Sequence, residues 1–217
     1  PAIKEKATFE GKKIYVNGAF TDPSFFKVFG FQLTDGNEKD ALAVTNGIVL
    51  TKATALKFFG NTYPIGKILD FETLGLFQVT GVLKDPPGKS HIDFDVYASS
   101  LAVQGLEKTK ALPDREHNWN TMNNSYTYVL VKENTSKASL NKLLSQIAQK
   151  PELKSPGGKI NFTAQPLSSI TPGTDGIYNE IGSGIVWAKV LTVVGIGLII
   201  LLAACFNYTN LTIARAL

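Results

Sequence analysis

The chain has 217 residues, a formal net charge of +4 at pH 7, and 44% hydrophobic residues. Its cations are nearly all lysines, with Arg115 and Arg215 the only arginines, and they alternate with acids instead of gathering into a block. Nucleic-acid recognition needs a clustered basic face, so that class is set aside. The single cysteine, Cys205, excludes a disulfide within the chain and carries no signal about the redox compartment.

In chain order, Ile3 to Phe9 is lysine-rich with weak strand character. Lys13 to Gly18 reads as a strand ending at a glycine turn. Asp22-Pro23-Ser24 opens a short aromatic helix, with Asp22 as its cap, and Phe25, Phe26 and Phe29 are its candidate contact residues. Such a cluster is more often core than an exposed patch. Thr34-Asp35-Gly36-Asn37 reads as a polar turn, and Gly47 to Leu50 as a short apolar strand. Thr51 caps a helix over Lys52 to Phe59, and Gly60 stops it in a left-handed conformation.

Ile68 to Phe71 and Phe77 to Leu83 are two more strands, followed by the turn signal Asp85-Pro86-Pro87-Gly88. His91 to Tyr97 alternates as a strand, with His91, Asp93 and Asp95 on one face and Ile92, Phe94 and Val96 on the other. Ser100 to Lys110 is a modest helix, and Ala111 to Asn124 is polar and irregular. Tyr126 to Val131 has the clearest strand pattern in the chain. A helix follows, capped by Thr135 or Ser136, striped by Leu140, Leu143, Leu144 and Ile147, and ended by Pro151. A turn at Pro156-Gly157-Gly158 leads to a strand over Ile160 to Gln165, and the loop from Ser168 to Ser183 is rich in glycine and polar residues. Strands and short helices alternate without the rhythm of a doubly wound parallel sheet, which predicts an α+β fold.

The chain then enters an uncharged run, Val190 to Ala214, bounded by Lys189 and Arg215. As a helix it rises about 37 Å at about 1.5 Å per residue. A bilayer core is about 30 Å thick. A core helix keeps some polar face, and this run has no charged one. It is therefore predicted to span a membrane, with Trp187 and Tyr208 at the interfaces. Gly195 and Gly197 allow close helix approach, and Asn207 and Asn210 can hydrogen-bond to one neighbour, so a multi-helix bundle is expected. A chain that begins at Pro1 and stops at Leu217, just past the run, reads as a piece of a longer membrane protein.

No catalytic, cofactor-binding or metal-binding residue is assigned. Gly60 to Lys67 imitates a phosphate loop, but it has one residue too many between its glycines, and Ile68 replaces the magnesium-binding hydroxyl. His91, Asp93 and Asp95 lie in a row without a further ligand, which reads as a solvated strand face. His117, near Asp114 and Glu116, is no better placed, and no serine sits in a nucleophile elbow.

These pieces together carry a resemblance. Val16-Asn17-Gly18 leads to Asp22-Pro23-Ser24-Phe25-Phe26-Lys27-Val28-Phe29 and Gly36. Then come Ile48-Val49-Leu50-Thr51, Phe59-Gly60, Pro64-Ile65-Gly66-Lys67, Phe77 to Val82, Ser90 to Asp95, and Phe206-Asn207-Tyr208-Thr209-Asn210 through Arg215. In this order and spacing the sequence resembles the MacB/FtsX-like permeases of bacterial ABC transporters, through their periplasmic core domain. The resemblance implies a two-lobed periplasmic domain over residues 1–184, followed by a transmembrane helix over 185–217. The membrane-proximal lobe would use residues 1–20 and 125–184, with a distal lobe at 21–124 inserted between them. It further implies a place in the bacterial inner membrane, a permease homodimer or pseudo-dimer in the lipid bilayer, and a separate ABC ATPase subunit. A periplasmic adaptor or outer-membrane channel is a further implied partner. No catalytic role transfers, because the family carries none in this domain. The alternative is a regulatory membrane protein whose periplasmic domain binds a partner such as a cell-wall enzyme. Both readings fit the residues, and genes for an outer-membrane channel and an adaptor beside the full-length gene would favour export.

Replacing Ile199 by Arg is expected to cost about 3 kcal/mol of insertion free energy at midspan. A glycosylation-reporter insertion assay measures it, and unchanged insertion would show that the run does not cross the bilayer.

Overall fold

The computed structural model of the chain describes residues 2–85, 90–114, 125–150, 160–170, 172–173, 181 and 185–216. They fall in two compact units, Pro1–Thr163 and Ala164–Leu217.

The first unit is built on one sheet. Strands β1 (Ala2–Phe9) and β2 (Lys12–Thr21) form an antiparallel hairpin across Glu10 and Gly11, both at positive φ. β2 runs parallel to β7 (Val96–Ser99), and β7 runs antiparallel to β4 (Gly47–Thr51). β4 runs parallel to β6 (Gly75–Leu83), and β6 pairs antiparallel with β5 (Ile68–Phe71). β5 returns to β1 through Ala7 opposite Phe71 and Thr8 opposite Asp70. The order β1-β2-β7-β4-β6-β5 thus closes on itself, while β3 (Leu33–Gly36) pairs with the far end of β6 from outside the ring. Helices α1 (Phe25–Phe29), α2 (Lys52–Phe59), α3 (Val103–Lys108) and α4 (Lys137–Ala148) complete the α+β unit.

The period of two in the strands sorts the side chains. Ile3, Ala7, Val16, Leu69, Phe71 and Phe77 are buried in one cluster with Ile48 and Leu50, and α2 adds Phe58 and Phe59 to it. β4 is buried on both faces. Val49 is fully buried on the opposite side from Ile48 and Leu50, which is why this strand reads as an unbroken apolar run. The loop before β4 is held there by hydroxyls: Ser99 donates to the Leu42 carbonyl at 2.7 Å and Thr80 to the Ala41 carbonyl at 2.6 Å.

Several local expectations change. The strand expected to end at Gly18 continues to Thr21, because Gly18 meets β7 rather than a turn. A Cβ at Gly18 would lie 2.5 Å from the Val96 carbonyl oxygen. The turn expected at Thr34–Asn37 is largely strand β3, and its Gly36 backs onto Thr80 and Gly81. Thr51 caps α2 as expected, its hydroxyl accepting from the Thr54 N–H at 3.3 Å. Gly60 closes the helix at φ 58 and ψ −123, a positive φ outside the left-handed helical basin.

Of the strand expected over His91–Tyr97, only the end survives, as β7 begins at Val96. The Ser90 hydroxyl takes the Ile92 N–H at 3.1 Å, a local bond that competes with a ladder. Neither Tyr126–Val131 nor Ile160–Gln165 joins a ladder, although the first is rich in β-formers and the second alternates. Strand-favouring residues and alternation describe a segment's own preference and do not supply a neighbouring strand. α4 forms where expected, with the Ser136 hydroxyl accepting from the Ser139 N–H at 3.1 Å. Its apolar stripe is not buried, and Leu143 and Ile147 are exposed. The turn residues Pro86 to Gly88 and Pro156 to Gly158, His117, and the Gly182–Gly184 junction lie outside the described residues.

In the second unit, the Gly173 N–H donates to the Ile185 carbonyl at 2.8 Å and the Trp187 N–H to the Gly173 carbonyl at 3.0 Å. Helix α5 (Trp187–Ala216) starts at this bridge and runs for 30 residues without a break, longer than the uncharged run itself. Its threonines turn inward on the backbone. The Thr192, Thr209 and Thr212 hydroxyls donate to the carbonyls of Ala188, Cys205 and Tyr208 at 2.8, 2.9 and 2.8 Å. Hydroxyls satisfied in this way add little cost in an apolar medium.

Two glycine substitutions separate crowding from propensity. Gly18→Ala is expected to destabilise the first unit by about 2 kcal/mol, because the added methyl meets backbone. Gly105→Ala, in α3 with open space around it, is expected to stabilise by up to about 1 kcal/mol. Urea unfolding of the two variants checks both signs.

Candidate functional site

The three phenylalanines of α1 are set by the turn before it. The Asp22 carboxylate accepts from the Ser24 N–H at 2.8 Å, and its carbonyl accepts from the Phe25 N–H at 3.0 Å. The Ser24 hydroxyl and amide hold the Asp22 carboxyl below its usual range. Gly30, at φ 68, ends the helix in the left-handed conformation. Phe25 and Phe26 are 6% and 5% exposed, so of the three only Phe29 keeps a partly open face. Phe25 stacks on Phe31 at 5.2 Å and meets Tyr97 of β7 at 5.1 Å.

Phe29 reaches a partner far along the chain. Its ring meets Tyr128 edge-on, with centroids 4.8 Å apart at 74°. The Tyr128 hydroxyl is 2.9 Å from His91 Nε2. Burial raises the Tyr128 phenol to about 12 and lowers the His91 imidazole from its usual range, so burial favours the neutral form of each. Burial also pushes Tyr97 up to about 12. Sequence reasoning grouped His91 with Asp93 and Asp95 and missed its pairing with Tyr128, 37 positions away. The available signal was the aromatic content of Tyr126–Tyr128, which marks a packing site without naming its partner.

The three residues once aligned on a strand face have separate surroundings. The Asp95 carboxylate accepts from the Asn17 N–H at 3.0 Å and from the Thr54 hydroxyl at 3.4 Å. Its backbone bonds to Asn17 and Thr51, so Asp95 ties β2, β4 and α2 together. Among the described residues no group of His, Cys, Asp or Glu is arranged to hold a metal ion. The Gly60–Lys67 loop follows α2 and precedes β5, the reverse of the strand-then-helix setting of a phosphate loop.

On α5, successive residues turn by about 100°. Asn207 and Asn210 are therefore about 60° apart, with Ala203 between them, and share one face. Gly195 and Gly197 are about 200° apart and face nearly opposite ways, so one neighbour cannot use both. Cys205 is exposed on the same helix.

The closed-sheet α+β body is followed along the chain by a helix, Trp187–Arg215, that is long and apolar enough to cross a membrane by length and composition. The chain belongs to the family of the MacB-like periplasmic core domain, whose model matches residues 2–147. Among solved structures, it is similar to a domain of a protein described as a permease from Porphyromonas gingivalis. The identity is 21% and the TM-score 0.51, over 67% of this chain and 64% of that one. The chain thus spans under two thirds of that structure and shares its fold. It is also similar to the periplasmic region of MacB from Actinobacillus actinomycetemcomitans, at 19% identity and TM-score 0.46, over 67% of this chain and 64% of that one. The extracellular domain of the noncanonic ABC-type transporter YknZ from Gram-positive bacteria matches at 21% identity and TM-score 0.41, over 52% of this chain and 57% of that one. No curated protein matches the sequence.

The His91 environment gives a pH prediction. Its folded pKa lies below 6.5, so as pH falls the unfolded chain takes up the proton first. The stability that His91 contributes is complete above about pH 6.5 and is lost as pH falls through its folded value. Between pH 7.5 and 5, the wild type should therefore lose more of its urea midpoint than His91→Gln. An equal loss in both would show that His91 is not buried neutral.

Proposed function

We propose that this chain is the periplasmic domain, residues 1–184, and the following membrane helix, 185–217, of an ABC transporter permease in a bacterial inner membrane. The single observation that carries the reading is membership of the MacB-like periplasmic core domain family, together with one unbroken helix after that domain. The work is mechanical. ATP-driven closure of a separate ABC ATPase subunit moves the membrane helices of a permease homodimer or pseudo-dimer, and the periplasmic lobes move with them to export or extract a substrate. A periplasmic adaptor or outer-membrane channel receives that motion.

Three features support this reading. The chain holds no phosphate loop, so the energy enters elsewhere. Asn207 and Asn210 share the face that would hold α5 against a neighbouring helix, while Gly195 and Gly197 flank that face on opposite sides. Trp187 donates its N–H to the Gly173 carbonyl at 3.0 Å, which anchors the start of α5 within the second unit. In the proposed layout, residues 21–124 form the distal lobe, and residues 1–20 with 125–184 form the membrane-proximal one. β1 and β2, which this layout gives to the membrane-proximal lobe, pair with β5 and β7 in the one closed sheet, so the two proposed lobes would share that sheet.

Cysteines placed in the distal lobe of each protomer, oxidised across the dimer, test the mechanism. ATP turnover and transport by the full-length complex should both fall when the lobes are locked. Unchanged turnover and transport would sink the mechanical reading in favour of a passive binding domain.

A further inference from the structure

The loop from Gly60 to Lys67 is no phosphate loop, yet it ends in a lysine with a defined place. The Lys67 N–H donates to the Pro64 carbonyl at 3.1 Å, and its carbonyl accepts from the Val79 N–H at 2.8 Å, so β6 fixes its main chain. Its ammonium lies over the Phe9 ring, 6.0 Å from the centroid. Phe9 in turn meets Phe59 edge-on at 4.6 Å. Between the β1–β2 hairpin and the end of α2, these rings and Lys67 line an open cleft of about 260 Å³, with the exposed Lys12 and Thr62 in its lining. Phe58 and Phe59 are buried beneath it, while Phe9 and Lys67 are half-buried.

The polar groups of the cleft suit a ligand that accepts rather than donates. Three carbonyls at the end of α2 are already taken. Leu56 accepts from the Gly60 N–H at 2.9 Å, Lys57 from the Lys12 ammonium, and Phe59 from the Thr62 N–H at 3.0 Å. Among the described residues, neither Lys12 nor Lys67 has a carboxylate within ion-pairing distance. Glu10, the acid in the lining, stands exposed on the hairpin turn. A half-buried ammonium beside aromatic rings and without a counter-ion gains from an incoming anion, because the bond is charge-assisted and shielded from water on one side. Size narrows the choice further. Drug-sized ligands occupy about 300–1,000 Å³, so this cleft takes a single ring with its acid group.

We propose that this cleft binds a small aromatic carboxylate, with the carboxylate on the Lys67 ammonium and the ring against Phe9 and Phe59. Lys12, held on the Lys57 carbonyl, adds positive charge without being the main partner. The chemistry is the same whether the aryl acid is free or is the carboxy-terminal residue of a peptide. The site lies wholly within the first unit and does not depend on the mechanical reading above.

Fluorine NMR of a fluorinated phenylpropanoate, added to the full-length protein in nanodiscs, tests this, with empty nanodiscs as the control for partition into lipid. Saturable binding is expected, with a Kd below about 10 mM. Lys67→Gln should weaken it about tenfold, the worth of a charged hydrogen bond, and the matching phenylpropanamide should bind about tenfold more weakly than the acid. Thr62→Trp, at an exposed position, sets a ring in the cleft and should abolish binding. Glu10→Gln should not weaken it. No saturable binding, equal binding of acid and amide, or an unchanged Kd in Lys67→Gln would each overturn the site. Binding retained in Thr62→Trp would put the ligand elsewhere, and a loss in Glu10→Gln would mean that the cleft reads a donor; either result overturns it too. An acetylated dipeptide ending in phenylalanine then separates the two sources. Displacement of the bound acid shows that a chain end fits, and no displacement confines the site to free aryl acids.

Discussion

The first unit depends on four residues. β5 (Ile68–Phe71) pairs with β6 on one side and touches β1 on the other, and it alone turns an open sheet into a closed ring. Without it, β1 would be an edge, and the interior cluster around Phe71 and Phe77 would open to water. The two rings meet edge-on at 5.5 Å, one from β5 and one from β6. Burying two large rings beside the β5–β1 seam places a large hydrophobic gain where the sheet closes. α2 packs into the same cluster, with Phe59 edge-on to Phe9 at 4.6 Å.

A ring of this size has to satisfy its backbone wherever strands change partners. Asp95 does so at the junction of β2, β4 and β7, where its main chain bonds to Asn17 and Thr51 and its carboxylate bonds to Asn17 and Thr54. That explains an acid at a place that otherwise reads as strand. Close approach is the second requirement. At Gly18 and Gly36 the neighbouring backbone stands where a Cβ would be, so these glycines record contact between strands more than freedom of the chain.

Much of this architecture was legible from residues. The cap at Thr51, the α4 cap at Ser136, the apolar run of β4 and the length of α5 each rest on interactions within a few positions, and those survive in the structure. Gly18 and Thr34–Gly36 misled because glycine is ambiguous between a turn and a close contact, and only the partner strand decides. Tyr126–Val131 misled for a related reason, since a strand pattern names a face but no neighbour. The Phe29–Tyr128–His91 cluster was legible only as aromatic content, with no sign of which residues meet. It joins residues across long stretches of chain, and a single sequence carries no record of that pairing.

Closing the ring leaves β3 as the strand added from outside it. It is only four residues long, and its register with β6 shifts between Leu33 and Asp35. Gly36, at φ 98, then bends the chain away. A short, irregular edge carrying Asp35 is a poor template for another chain to extend. The domain can therefore be held at high local concentration beside copies of itself, as on a crowded membrane face, with little tendency to polymerise edge to edge.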